Sequence, residues 1–157
     1  MKGYLIIIFL QLQLPACNNA KPPLRDLETK RISLTKEEVK MLEKRAGDLF
    51  NEKEYDEGYL CYDTLVLSDP QNAFYYFRRG FCQSRYPTDL VQVISDYKMA
   101  LTYGYENVSA IYFNLASIYQ YKENFDSSIL YYNKYLILKP NDSIALNERN
   151  VIIRRLR

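Results

Sequence analysis

A pattern of large and small residues recurs along this chain about every 34 residues, which is a spacing typical of stacked helical hairpins. In each of three copies a small residue follows a large one by four positions. The pairs are Leu42 and Ala46, Tyr76 and Gly80, and Tyr112 and Ala116. Residues four apart lie on one face of a helix, and a small residue there lets a second helix pack closely. Because one hairpin cannot bury its apolar face alone, the three copies predict one continuous all-α stack.

Local signals mark where the helical part begins and how it divides. Thr35-Lys36-Glu37-Glu38 has the pattern of a capping box, in which Thr35 and Glu38 each accept a hydrogen bond from a free backbone N–H. Pro70 and Pro140 follow the first and third copies and are expected to stop the second helix of each. We therefore predict a helical region over 35–142 with three repeats, at about 38–72, 73–108 and 109–142, and a capping helix over 143–157.

The third copy resembles the tetratricopeptide-repeat (TPR) family. The residues that carry the resemblance are Tyr112, Leu115, Ala116 and Tyr119, followed by Ser128, Tyr132 and Pro140. The resemblance implies a right-handed solenoid of about three TPR hairpins with a C-terminal capping helix. Arg45, Arg79 and Gln83 depart from the family pattern, because they stand where it favours apolar residues. We interpret them as long side chains whose polar ends reach water, or as residues with a local surface function.

In TPR proteins the first helix of each hairpin lines a concave groove in which peptides lie, so the resemblance implies a partner site there. The implied groove residues are Phe50, Phe74, Phe77, Phe81, Arg85, Phe113 and Tyr121, with Asn147 and Arg154 added by the capping helix. Such an aromatic and slightly basic groove suits an apolar or acidic peptide. The alternative is that several of these phenylalanines pack between repeats as core. Gly47 and Phe81 stand where the family's clamp for C-terminal peptides has asparagines, so that particular activity is not expected.

The first residues have the pattern of an export signal. Met1-Lys2 is a basic start, residues 4–14 are mostly apolar, and Leu14-Pro15-Ala16-Cys17 follows. The apolar run is shorter than the roughly 20 residues that span a bilayer. Because it ends on cysteine, the segment resembles a bacterial lipoprotein signal over 1–16, which implies a lipid on Cys17. The alternative is an ordinary cleaved signal that contains a cysteine.

Residues 17–34 contain Pro22-Pro23 and no helical period, so we interpret them as a flexible tether that follows the lipid. This predicts a domain on the bacterial cell envelope, anchored to a membrane and facing away from the cytoplasm. The two remaining cysteines, Cys61 and Cys82, are expected on neighbouring helices, where they either form a disulfide or stay as buried free thiols.

Composition argues against several classes of function. The chain has no histidine, which removes the commonest general base and the commonest metal ligand. A net charge of +2 does not suggest nucleic-acid binding, and no glycine-rich phosphate loop or metal-ligand spacing is present. We therefore predict no enzymatic activity, no cofactor and no metal. The predicted function is a TPR scaffold that binds a protein or peptide partner, and the alternative is an assembly subunit of an envelope complex that uses its convex face.

Overall fold

The structure is a computed structural model that describes residues 33–85 and 89–157. These residues form seven α-helices and no strand: α1 (Lys36–Glu52), α2 (Tyr55–Ser68), α3 (Ala73–Gln83), α4 (Leu90–Thr102), α5 (Val108–Tyr121), α6 (Phe125–Leu138) and α7 (Ser143–Arg155). They belong to one compact unit, Arg31–Arg157. The expected all-α fold is confirmed. The predicted signal over 1–16, Cys17 and the tether up to residue 32 lie outside the described residues.

The helix starts follow from the polar residues that precede them. The capping box at α1 is present: the Glu38 N–H donates to Thr35 Oγ1 at 3.2 Å, and the Thr35 N–H donates to Glu38 Oε2 at 2.8 Å. Five later helices begin after an Asn or Asp whose side chain accepts from the first turn, namely Asn72, Asp89, Asn107, Asn124 and Asp142. These caps satisfy backbone N–H groups that have no partner inside a helix.

Successive helices pack as antiparallel hairpins, α1 with α2, α3 with α4 and α5 with α6, in the order that the repeats predict. The small residues Ala46, Gly80 and Ala116 are all buried. A Cβ added to Gly80 would lie 3.1 Å from Cβ of Asp96, so even a methyl group there would require α4 to move by a few tenths of an ångström. The tight packing of α3 on α4 therefore favours a small residue at position 80.

Two buried clusters hold the stack together. The larger extends from α1 to α5 and contains Tyr62 and Tyr97. The smaller contains Ala116 of α5, Tyr132 of α6, and Ala145 and Ile152 of α7. Because α7 contributes two fully buried residues to this second cluster, it covers the end of the third hairpin as a capping helix.

Arg79 corrects one interpretation of the sequence. It neither reaches water nor has a surface function, because its side chain is buried between α2, α3 and α4. Its Nε and Nη2 donate to the Asp96 carboxylate at 2.9 and 2.7 Å, and its Nη1 donates to Asp63 at 2.7 Å. Arg45, in contrast, has an exposed side chain, and its Nη2 lies 3.4 Å from Glu57 Oε2.

Candidate peptide-binding groove

Three of the predicted groove phenylalanines come together where α1 meets α3. The Phe50 and Phe81 ring centroids are 5.1 Å apart, and those of Phe81 and Phe77 are 6.3 Å apart. Tyr55, at the start of α2, contacts both Phe50 and Phe81. Phe50 and Phe81 remain half-buried, so this cluster both packs the two hairpins and presents ring edges at the surface.

Arg78 joins this surface and was missed by the sequence analysis. Its guanidinium carbon lies 3.8 Å from the Phe50 ring centroid and 4.9 Å from that of Phe74. Among the residues that the structure describes, no carboxylate lies within ion-pair distance of Arg78, and its Nε is buried without a hydrogen-bond partner. The sequence could have predicted this contact, because Arg78 lies four residues after Phe74 and therefore on the same face of α3.

Phe77 has a different environment from its neighbours on α3. It is only 8% exposed and its ring stacks on Tyr105, with centroids 4.3 Å apart and planes 15° apart. It also contacts Tyr97 in the larger core cluster. Phe77 therefore fits the core alternative, since its ring is covered by Tyr105 and packs into the core cluster.

Arg85 and Tyr121 line a cavity of about 360 Å³ between α3, α4 and α5. Arg85 lies two residues after the end of α3, with its guanidinium carbon 4.4 Å from the Phe81 ring centroid, so the cavity adjoins the aromatic cluster. Tyr121 is 68% exposed at the end of α5. The remaining lining residues are Ser84, Leu90, Tyr97, Asn114, Ser117 and Ile118. This mixture of apolar walls and a few polar groups is typical of a ligand site.

The other predicted groove residues lie apart from this surface. Phe113 contacts Tyr132 and Tyr135, with ring centroids 6.0 and 5.3 Å apart, and packs against the second core cluster. Asn147 and Arg154 are exposed on α7, and neither side chain forms a hydrogen bond or ion pair within the described ranges. Phe74 is 41% exposed and connects to the cluster through Arg78.

Both internal cysteines are free and buried. Burial raises the pKa of Cys82 to about 12 and raises that of Cys61 as well, so both remain protonated thiols at neutral pH. Within 33–85 and 89–157, no group of three His, Cys, Asp or Glu side chains is placed to hold a metal ion. None of the helices described is both long enough and apolar enough to cross a bilayer.

Solved structures with the same arrangement of helices are TPR domains. The first TPR domain of Spaghetti (RPAP3), bound to the HSP90 peptide SRMEEVD, is 22% identical with a TM-score of 0.67, over 80% of this chain and 98% of that one. The fold is therefore a TPR fold. The Arabidopsis OM64 TPR domain is 14% identical with a TM-score of 0.65, over 76% of this chain and 97% of the other.

The first TPR domain of human RPAP3, solved by NMR, is 23% identical with a TM-score of 0.62, over 75% and 91% of the two chains. No protein-family model and no curated protein matches the sequence. At these sequence identities the similarity establishes the TPR fold alone. What this chain binds has to be inferred from its own residues.

Proposed function

We propose that this protein is a non-enzymatic interaction module that binds an extended segment of a partner protein along the first helices of its TPR hairpins. The partner segment lies over Phe50, Phe74 and Phe81 and reaches Arg85 and Tyr121. A lipid on Cys17 holds the domain at a bacterial membrane, facing away from the cytoplasm. Attachment would raise the effective concentration of the domain near partners in the same envelope.

The observation that carries the proposal is a pair of arginines over partly exposed rings. Arg78 lies against Phe50 and Phe74, and Arg85 lies against Phe81. No ion pair within the described part of the chain involves either arginine. Surface cations stacked on rings without a carboxylate favour a ligand that supplies apolar contact and negative charge together.

The test is a comparison of two double variants in membranes that contain the full chain. Phe74→Ala/Tyr121→Ala changes the proposed groove, and Leu60→Ala/Ile137→Ala changes exposed apolar residues on the second helices. After chemical crosslinking, we expect a specific partner to be lost only from the groove variant. Circular dichroism checks that helix content survives in both variants, because loss of folding would remove partners from either.

An assembly role through the second helices is the other candidate function. Leu60, Val91, Leu130 and Ile137 are exposed apolar residues, and all four lie on α2, α4 or α6. Exposed apolar side chains in this number indicate a contact surface when they are contiguous. A partner lost only from Leu60→Ala/Ile137→Ala would support this role and contradict the groove.

The lipid anchor needs its own measurement. The intact mass of the protein from the membrane fraction is expected to show cleavage before Cys17 and an added diacylglycerol. Cys17→Ser should then release the protein from membranes, because it removes the sulfur that carries the lipid and with it the buried acyl chains that hold the domain. A mass that still includes Lys2 would contradict the signal and the anchor together, and it would leave the groove proposal untouched.

A further inference from the structure

The cavity between α3, α4 and α5 lies where one repeat carries a short side chain and the next repeat carries a long one. Ser84 lies four residues after Gly80, as Gln120 lies four residues after Ala116. In the third hairpin, Gln120 Oε1 accepts a hydrogen bond from the Tyr132 hydroxyl at 2.9 Å. In the second hairpin, the shorter Ser84 leaves the space open, and it lines the cavity.

Tyr97 is the counterpart of Tyr132 and has lost that partner. It lines the cavity, is 0% exposed, and its hydroxyl is buried without a hydrogen-bond partner in the described part of the chain. Burial raises the pKa of Tyr97, and the nearby Ser84 side chain, which is outside hydrogen-bond geometry, and the Arg85 charge oppose this only in part, so the hydroxyl remains a protonated donor at neutral pH. A buried hydroxyl without a partner costs free energy, so its presence here calls for an explanation beyond packing.

The donors left for a ligand around Tyr97 are the Arg85 guanidinium and the Tyr97 hydroxyl itself, because the two serine hydroxyls of the lining are already engaged. Ser84 Oγ already donates to the Phe81 carbonyl at 2.7 Å, and Ser117 Oγ donates to the Phe113 carbonyl at 3.0 Å. Arg85 is the one charged side chain, and no carboxylate is present, among the lining residues that the structure describes. A ligand group that accepts several hydrogen bonds and carries a negative charge complements this set.

We propose that the cavity binds a glutamate side chain of the partner segment, with its methylenes against Leu90 and Ile118 and its carboxylate between Arg85 and the Tyr97 hydroxyl. The proposal rests on the proposed function and names the chemistry of its ligand. A carboxylate accepts from both donors at once, while the apolar walls favour a side chain with a stem. Because Tyr97 is fully covered, the carboxylate reaches its hydroxyl only when the side chains over it shift.

The experiment begins with random twelve-residue peptides displayed on phage and selected on the full chain. We expect the selected peptides to share one glutamate position with apolar neighbours. One such peptide is then synthesised in two forms, with glutamate and with glutamine at that position. The glutamine form should bind about tenfold more weakly, the effect of losing roughly one charge-assisted hydrogen bond.

Two variants connect this difference to the cavity. Tyr97→Phe removes only the hydroxyl, and Ser84→Gln fills the cavity and gives Tyr97 the partner that Tyr132 has. In both, the tenfold preference for glutamate over glutamine should fall to about twofold or less. Tyr132→Phe is the matched control, because it removes the equivalent hydroxyl in the third hairpin and should leave the preference unchanged. Thermal unfolding confirms that each variant is folded.

The outcomes separate this inference from the proposed function. Selected peptides without a shared acidic position, or equal binding of the glutamate and glutamine forms, would overturn the glutamate site while the groove stands. A glutamate preference that persists in both Tyr97→Phe and Ser84→Gln would place the carboxylate elsewhere and overturn the cavity assignment. No peptide selected by the wild-type chain would count against both the groove and the cavity.

Discussion

Arg79 in α3 holds the carboxylate of Asp96 in α4 through two charge-assisted hydrogen bonds, Nε to Oδ2 at 2.9 Å and Nη2 to Oδ1 at 2.7 Å. Both side chains are buried, and Gln92 Nε2 donates to Asp96 Oδ1 at 2.9 Å as well. Burial alone would lower the pKa of Arg79, but the hydrogen bonds and charges of Asp96 and Asp63 raise it, so the guanidinium stays charged. The pair links the two helices of the second hairpin inside its core.

Removing one member of this pair should destabilise the fold strongly. Asp96→Leu leaves the Arg79 charge buried, with Asp63 as its remaining partner, and is expected to lower the free energy of unfolding by about 3–5 kcal/mol. Arg79→Met/Asp96→Leu removes both charges and should recover most of that loss, because it leaves no uncompensated buried charge. Urea unfolding followed by circular dichroism measures both variants.

An exposed pair supplies the control for that comparison. Arg45 and Glu57 are 3.4 Å apart with both side chains mostly exposed, so Glu57→Gln should change the free energy of unfolding by less than about 1 kcal/mol. If the double variant of the buried pair is as unstable as Asp96→Leu alone, the pair stabilises the hairpin in a way that apolar packing cannot replace.

Local and periodic features could be predicted from the sequence because they depend on residues close together in the chain. The capping box needs only Thr35 and Glu38, and the close approach of helices needs a small residue such as Gly80 at the right position. The pairing of Arg79 with Asp96 was missed because it joins two helices across a loop. Its prediction requires the rotation of α4 against α3, which periodicity does not give.

Helical spacing also fails to predict which of two residues on the same helix is buried. Phe74 and Phe77 are three positions apart on α3, and both fit the pattern of a groove phenylalanine. Their environments differ because Tyr105, in the connection between α4 and α5, stacks on Phe77 and leaves Phe74 partly exposed. The position of a loop residue decides which ring is buried, and loop conformation is not encoded in helical spacing.

The N-cap of α7 should make the stability of the capping helix depend on pH. Asp142 accepts from the Ala145 and Ile144 N–H groups at 3.0 Å and from the Tyr135 hydroxyl at 2.7 Å. These bonds lower the pKa of Asp142 below its ordinary 3.8. The stabilisation is therefore complete above the unfolded pKa and is lost as the pH falls through the lower folded pKa.

Asp142→Asn tests this, because the amide oxygen still accepts at the cap and does not titrate. We expect the stability difference between wild type and Asp142→Asn, measured by urea unfolding from about pH 6 to about pH 2, to shrink as the pH falls. Other carboxylates titrate in both proteins and cancel in the difference. A difference that is constant over this range would show that Asp142 is not a charged cap.

The equivalent tyrosines Tyr97 and Tyr132 should respond in opposite ways to loss of their hydroxyls. Tyr132 donates to Gln120 at 2.9 Å, so Tyr132→Phe is expected to lower the free energy of unfolding by about 1 kcal/mol. The Tyr97 hydroxyl is buried and has no hydrogen-bond partner among residues 33–85 and 89–157, so Tyr97→Phe should leave stability unchanged or raise it by up to about 1 kcal/mol. Thermal and urea unfolding of the two variants side by side measures the contrast, and equal losses would contradict it.

Substitutions at Phe77 and Tyr121 should distinguish a core residue from a groove residue by their effects on stability. Phe77 is 8% exposed and stacked on Tyr105, so Phe77→Ala is expected to lower the free energy of unfolding by about 3–5 kcal/mol through the cavity it leaves. Tyr121 is 68% exposed, so Tyr121→Ala should change stability by less than about 0.5 kcal/mol.

The effects on binding should be reversed. Tyr121→Ala removes a wall of the cavity at its open side and is expected to weaken a phage-selected peptide several-fold, because an exposed aromatic ring contributes contact area only in the complex. Phe77→Ala, measured at a temperature where it remains folded, should bind the peptide with nearly wild-type affinity, since its ring is covered by Tyr105. Isothermal titration calorimetry measures the peptide affinity of both variants. If Phe77→Ala weakens peptide binding while Tyr121→Ala leaves the affinity unchanged, the peptide contacts Phe77 after Tyr105 moves aside, and the prediction is wrong.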